Sequence, residues 1–566
     1  MKSTAKKWRI ILGVIIVLVF SINSILSVVI SNIVNTQLEE INNQGKLHIT
    51  VGKINLNVFV GNLNLKNVSV KSDSLFFDNF KQGNTQKAST SEFMLSDLKI
   101  RGFGIYDILV NKKIYARKII ANGLQLNLYK SDKHLNKTIS DSNDKKSDSL
   151  FIKGINEIDF NSIVFDDFEF RIINAQSADT IFSYKEKECE ITGIDLIAHP
   201  TIENYFIIDK ENLIINFDEQ EINTNDGNYK IVLNKIKYEY KTSSLLLANF
   251  KMNPTTEKAK LASTYIYNSE VYNFETDIIQ LKGFHLDSIL RTGIVKLDTV
   301  LIENPTIGIY KDQTKPFNLH KRPKFLNQTL KALNQPLHIE KVLIQNGLFS
   351  YWEKHEGFNE LMTLDITDLN AEISNVTSLK ENLTSGSNLT MNIQGKLSKV
   401  APFKLDILMH YNTWNNSFSF KGSVGEANFV HFNPAIFPAA GVKFDDGKLQ
   451  SMNFTVHGTP AGSNGKMTML YHNISANFIK EHKKKKTISW IGNTLIVESN
   501  PSKRGNLRVA EIEFERVPYK GFGNLLWKSV MSGMVNTINP LGKHEKHKIE
   551  NEKVSKVKHT KRKHKI

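Results

Sequence analysis

One cysteine, Cys189, stands in 566 residues. With no second thiol there is no internal disulfide, so whatever folds is held by burial and strand pairing. No His or Asn lies near Cys189 to activate it, and it reads as an inert buried residue. The usual equipment of catalysis is missing as well. No G-x-S-x-G occurs. The segment 458–466 (GTPAGSNGK) resembles a phosphate loop, but Pro460 takes the first glycine position and Met467 stands where a Mg²⁺-binding Ser or Thr is required, so a hairpin loop is expected. His544 and His547 have loose metal spacing inside a basic tail. Asp166-Asp167 and Asp445-Asp446-Gly447 read as turn residues, where a carboxylate hydrogen-bonds local backbone. The expectation is a protein that is not an enzyme and uses neither cofactor nor metal.

Charge is absent from residues 10–30 (IILGVIIVLVFSINSILSVVI), a length matching the ~20 residues with which an α-helix crosses a bilayer core. Lys2, Lys6, Lys7 and Arg9 precede it, and the first charges after it are Glu39 and Glu40. The positive-inside bias then keeps the amino terminus cytoplasmic and places the body outside, as a single-pass anchored protein. The alternative is a cleaved signal peptide; apolar character resumes through Ile25, Leu26 and Val28, and no A-x-A-like site follows.

The net charge of +16 is concentrated at the ends. Four Lys/Arg and no acids lie in residues 1–30, and ten Lys/Arg against three acids lie in residues 543–566. The body between is close to balanced. The last 24 residues read as a solvated, disordered tail. The other reading is attraction to anionic lipid head groups, with Lys556, Lys558, Lys561, Arg562, Lys563 and Lys565 as candidates. Nucleic acid is not an expected partner on that side of a membrane. A second basic run, Lys480 and Lys483 to Lys486, reads as a loop between strands.

What fills the body is strand pattern. From Gly45 to Val70 apolar residues alternate as Leu47, Ile49, Val51, then Ile54, Leu56, Val58, Val60, then Leu63 and Leu65, then Val68 and Val70. Period two means one buried and one wet face. The phase slips at Gly52 and Gly61, as a run of hairpins requires. The alternation returns at Leu124, at Ile236, at Leu389 and at Met452, and no βαβ spacing appears, so an antiparallel sheet apolar on one face is expected along the whole chain.

An internal duplication accompanies it. Residues 94–130 superpose on 275–311 without a gap, matching Gly102-Phe103 with Gly283-Phe284, Ile108-Leu109 with Ile289-Leu290, and Tyr129-Lys130 with Tyr310-Lys311. Phe182-Ser183-Tyr184 also recurs as Phe349-Ser350-Tyr351. A body of repeated β modules follows. Residues 131–149 are polar and read as an exposed loop, residues 325–334 as a short helix, and Trp527, Val530, Met531, Met534, Val535 and Ile538 as the apolar stripe of a helix capping the β body, with Ser529, Ser532, Asn536 and Thr537 on its polar side. The expected divisions are a cytoplasmic terminus (1–9), an anchor (10–30), a hairpin module (31–90), two β-repeat modules (91–270 and 271–382), a C-terminal β module (383–522), an amphipathic helix (523–540) and a basic disordered tail (541–566).

The order of helix, then GKLHITVGKINLNVFVGNLNLKNVSV, then phrases such as VLIENPTIGIYK, then the late stretch with Gly422, Asn433-Pro434, Gly441, Gly447-Lys448-Leu449, Gly458 and Met467 to Tyr471, resembles the AsmA-like family of bacterial inner-membrane-anchored envelope proteins. The basic tail after Pro540 departs from that pattern. The resemblance implies an all-β fold behind a transmembrane helix: a long twisted antiparallel sheet forming an elongated groove in the periplasm, with short helices at breaks and near the C-terminus. It also implies that phospholipid acyl chains are guided between the inner and outer membranes, with an outer-membrane or envelope protein as a further partner. Candidate groove liners are Ile54, Leu56, Val58, Leu124, Leu126, Leu128, Ile307 and Ile309. The alternatives are a scaffold for outer-membrane protein assembly, which adds a client strand to a sheet edge, and a purely structural tethered β protein in which the same residues form a closed core.

Overall fold

The computed structural model describes residues 47–57, 59–82, 84, 89–104, 106–130, 155–198, 206–208, 212–224, 226–384, 386–413, 415–478 and 496–548, with single positions at 28, 32, 36, 39 and 42. Of the expected anchor, 10–30, only Val28 is among them. No helix among the described residues is long and apolar enough to cross a membrane. The expected loop at 131–149, the basic run at 480–486, Val58 and the six cationic candidates from Lys556 onward also lie outside the described residues.

Strands dominate. The chain begins with β1 (Leu47–Asn57), β2 (Asn62–Ser72), helix α1 (Ser74–Gln82), β3 (Ser89–Arg101), β4 (Lys113–Ala116) and β5 (Lys118–Lys130). It continues through β6 (Glu157–Asn174), β7 (Thr180–Ala198), β8 (Phe206–Ile208), β9 (Ile214–Phe217), β10 (Gln220–Asn223), β11 (Tyr229–Leu233), β12 (Lys235–Glu239) and β13 (Ser244–Pro254). Then come α2 (Lys258–Thr264), β14 (Glu270–Lys282), α3 (Leu286–Thr292), β15 (Val295–Glu303), β16 (Thr306–Asp312), α4 (Leu326–Lys331), β17 (Leu337–Lys354) and β18 (Met362–Thr377). The last part holds β19 (Asn388–Leu397), β20 (Ala401–His410), β21 (Phe418–Val424), β22 (Ala427–Asn428), α5 (Asn433–Ala440), β23 (Val442–Thr459), β24 (Gly462–Phe478), β25 (Asn506–Glu515), α6 (Phe522–Ile538) and β26 (His544–Lys548). Two compact units result, one from the residues up to 220 with 234–247, the other from 221–233 and 248–566.

The sheet is mixed, which corrects the antiparallel expectation. β4 and β5 both pair parallel with β6, and β15 and β16 both pair parallel with β17. A parallel neighbour needs a long return connection, and the second of these carries α4 between β16 and β17. That is a strand-helix-strand crossover that the sequence pattern concealed. The helix expected at 325–334 forms over Leu326–Lys331.

The duplication is carried by the backbone. β3–β5 with β6 and β14–β16 with β17 share one topology: an antiparallel return followed by a parallel join. Residues with positive φ fall at matching places: Gly102 (65°) with Gly283 (76°), and Gly123 (64°) with Asn304 (51°). A Cβ on Gly102 would sit 3.0 Å from Arg117, and one on Gly283 would sit 2.7 Å from Asp298, the residue matching Arg117 in the same alignment. The match extends to a helix on the back of each sheet. Phe77 of α1 packs edge-on against Tyr129 at 4.8 Å, while Leu261 and Ala262 of α2 pack with Tyr310, the counterpart of Tyr129. The Phe-Ser-Tyr recurrence is not part of this equivalence. Its first copy lies on β7 and its second on β17, whose counterpart is β6.

The C-terminal part of the second unit has a sealed core. Leu389, Met409, Phe420, Val456, Met467, Met469 and Ile512 are each at most 1% exposed, and α6 lies over β24 and β25. The helix caps the β body, but not by the expected face alone. Val530, Met534 and Ile538 pack inward while Trp527 is 37% exposed, and Ser529 and Thr537, expected on the polar side, are fully buried. Small size decides this. Leu525, Ser529, Gly533 and Thr537 form a line along which β24 and β25 approach, and a Cβ on Gly533 would meet Ile512 at 2.8 Å. Ser529 and Thr537 donate to carbonyls one turn back, at 2.6 and 2.8 Å, so their burial leaves no hydroxyl unsatisfied.

The first residues of the expected disordered tail are ordered too. His544–Lys548 adds a strand to β25, with Lys466–Glu545 (2.8 Å) and Lys543–Glu513 (2.6 Å) ion pairs alongside. Both aspartate pairs lie inside strands instead of at turns. Asp167 has φ 53° within β6, and Asp446 Oδ1 accepts from Gly447 N at 2.7 Å within β23. The 458–466 segment is the expected hairpin loop, closing β23 onto β24 with Thr459 opposite Gly462.

Candidate functional site

Strand register turns the alternation into rows that run across strands. In the first unit one row passes from Leu56 to Leu63, Ile100, Ile119, Ile163, Ile191, Ile215 and Tyr238, each opposite the next. The neighbouring row runs from Ile54 through Leu65, Leu98, Ala121, Phe165, Cys189 and Phe217 to Ile236 in the same way. Eight strands thus present one apolar face. The reverse face carries Asn64–Arg101 (3.1 Å) and Ser162–Glu190 (2.7 Å).

Left-handed residues at Asn67, Gly123 and Asp167 mark where the phase slips. Beyond them the apolar residues are offset by one: Leu124, Leu126 and Leu128 on β5, with Leu126 between Phe93 and Phe170. Burial follows the same shift on β7, where Glu186 and Cys189 are buried and Lys187 and Glu188 between them are exposed.

In the second unit a row runs from Leu281 through Val300, Val342, Ile373, Met391, Ile407 and Phe420 to Val456. Burial rises along it. Its first four members are half-buried, whereas Met391 is 9% exposed, Ile407 6%, Phe420 1% and Val456 0%. Two further rows hold the remaining candidates: Phe274, Ile307, Phe349 and Ile366, and beside them Tyr272, Ile309, Tyr351 and Leu364.

Seven of the eight proposed liners, Ile54, Leu56, Leu124, Leu126, Leu128, Ile307 and Ile309, are half-buried. The second-unit pair, Ile307 and Ile309, lies outside the sealed core. α2 covers the opposite face of the strands that carry this pair, against Val271 and Tyr310.

Sequence reasoning missed the polar groups set into these apolar faces. Glu186, 3% exposed, accepts from the Tyr184 hydroxyl at 2.5 Å, and Tyr184 also contacts Gln220. In the second unit Glu353 accepts from Tyr351, Gln313 and His355, the last at 2.9 Å. Burial pushes the Glu353 carboxyl upward, but the hydrogen bonds from His355, Tyr351 and Gln313 outweigh it and hold the group below its ordinary range. The Tyr-x-Glu spacing, which puts both side chains on one face of a strand, was the available signal.

Cys189 is buried in its row, and burial, with Glu186 and Glu190 adding to it, pushes its thiol up to about 12. No group of His, Cys, Asp and Glu among the described residues has the arrangement of a metal site. Comparison with protein-family models and with curated proteins finds no match for this chain.

Proposed function

We propose that this protein is a membrane-anchored lipid-binding protein of a bacterial envelope, with its β body in the periplasm and its amino terminus cytoplasmic, guiding phospholipids between inner and outer membranes. One observation supports the reading above the others. Apolar rows continue over eight strands of the first unit with most members half-buried and only Ile119, Ala121, Cys189 and Tyr238 buried, whereas the same kind of row in the second unit becomes sealed by protein at its C-terminal end. Apolar side chains left uncovered by protein are stabilised by an apolar ligand, at about 25 cal/mol per Å² removed from water. A row of similar residues offers acyl chains near-uniform burial at each strand, so a chain can shift along it without a deep energy well.

The test is mass spectrometry on gently extracted full-length protein, with photo-crosslinkers placed at positions 126 and 309. Co-purified phospholipid and lipid adducts at both positions are expected. A preparation free of lipid, with adducts to peptide alone, overturns the reading and makes the protein an assembly scaffold; no adduct of either kind leaves a structural tether.

A further inference from the structure

The face of β16 that carries Ile307 and Ile309 changes character at Lys311, one same-face step further on, about 6.6 Å along the strand. Its antiparallel neighbour changes in step: Phe274 lies opposite Ile307, Tyr272 opposite Ile309, and Glu270 opposite Lys311. A cavity of about 470 Å³ opens at that point, inside the ~300–1,000 Å³ range of small-ligand sites. Tyr272 belongs both to the apolar row and to the cavity lining.

The walls are tied together. Arg516 Nη2 donates to Pro323 O at 2.6 Å and to Lys520 O at 3.0 Å, and Lys520 Nζ stands 3.4 Å from the centre of the Phe317 ring. Among the described residues lining the space, the ammonium groups of Lys311 and Lys321 face one carboxylate, Glu270, and Lys520 adds a further cation over the Phe317 ring. Glu270 bonds Lys311 at 2.5 Å and lies 3.8 Å from Lys321. Asn268 Nδ2 donates to Asp312 O at 2.7 Å and to Gln313 Oε1 at 3.1 Å, which fixes the amide orientation and leaves its buried Oδ1 with no partner. The excess of ammonium groups suits a phosphate. An unpaired acceptor beside a carboxylate suits a hydrogen-bond donor on the same ligand.

We propose that this cavity takes the phosphate headgroup of an amphiphile, its amine or hydroxyl substituent bonded by Asn268 and Glu270, while the chains lie along Ile309 and Ile307. The inference rests on the lipid-binding reading and adds the headgroup class to it.

Calorimetric titration of the full-length protein in detergent tests it, with four probes: dihexanoyl phosphatidylethanolamine, dihexanoyl phosphatidylmethanol, dihexanoylglycerol and glycerophosphoethanolamine. The Lys321→Gln/Lys520→Gln double variant is expected to weaken phosphatidylethanolamine binding by roughly tenfold or more and to leave dihexanoylglycerol unchanged. Equal phosphatidylethanolamine binding by variant and wild type overturns the headgroup site while the lipid reading stands. Glycerophosphoethanolamine binding as tightly as the lipid, with no dihexanoylglycerol binding, makes the cavity a site for a free phosphate ester and overturns both. Asn268→Leu supplies a second arm, in which the wild-type preference for phosphatidylethanolamine over phosphatidylmethanol shrinks. No preference in the wild type overturns the donor assignment.

Discussion

Cys189 shows how a single side chain reports on its surroundings. It sits between Phe165 and Phe217 in an apolar row, and the removal of water that raises its pKa also keeps reagents out. The folded value lies above the ordinary 9.0, so this thiol's contribution to stability is fully present below pH 9 and is lost as pH rises through its folded value. At pH 8 a disulfide reagent is expected to titrate Cys189 only when denaturant is added. Equal rates in native and denatured protein contradict the burial. Its burial was legible from the sequence, where no activating neighbour stands beside it. Glu186, two strand positions from Tyr184, was not, because its carboxylate is held on the apolar face by Tyr184, whose hydroxyl also contacts Gln220 from a strand 36 positions further along the chain.

At the scale of elements, α6 carries the sharpest energetic statement. Leu525 is 1% exposed, so Leu525→Ala is expected to cost about 2–5 kcal/mol, read by denaturant unfolding. A loss under 1 kcal/mol would show that the helix does not seal the core. The helix was legible from its three-and-four spacing and its stop at Pro540. Its packing face was only half legible, because hydrophobicity marks Trp527 as inward while close approach to β24 and β25 demands the small Ser529 and Gly533. Parallel pairing was hidden for a different reason. Alternation has period two in either direction of pairing, so a strand's own residues do not state the direction of its neighbour; that information resides in the length of the connection.

Across the whole chain, one architectural phrase is used in both units, and its second occurrence leads into a sealed end. The row that joins Val342 to Val456 lets this be measured with one type of substitution. Val456→Asp places an unpaired charge in a fully buried position and is expected to abolish folding of the C-terminal core, a loss beyond about 4 kcal/mol. Val342→Asp, at a half-buried member of the same row, is expected to cost less than half as much. Equal losses would mean that the face at Val342 is as closed as the core. The strand content, the one-sided apolar pattern and the duplication were legible at this scale, because register converts each strand's period into a shared face. The gradient of closure was not, since Val342 and Val456 are the same residue in the same alternation and differ in what sequence-distant parts of the chain pack against them.

The two parallel joins impose an order on folding. Ile119 meets Ile163 and Val300 meets Val342 across more than forty intervening positions, whereas β6 and β7, or β17 and β18, zip from a local turn. Chain closure over the longer spans carries the larger entropic penalty. Hairpins are therefore expected to assemble first as separate pieces, with the polypeptide becoming continuous sheet only when those pieces are stitched side by side.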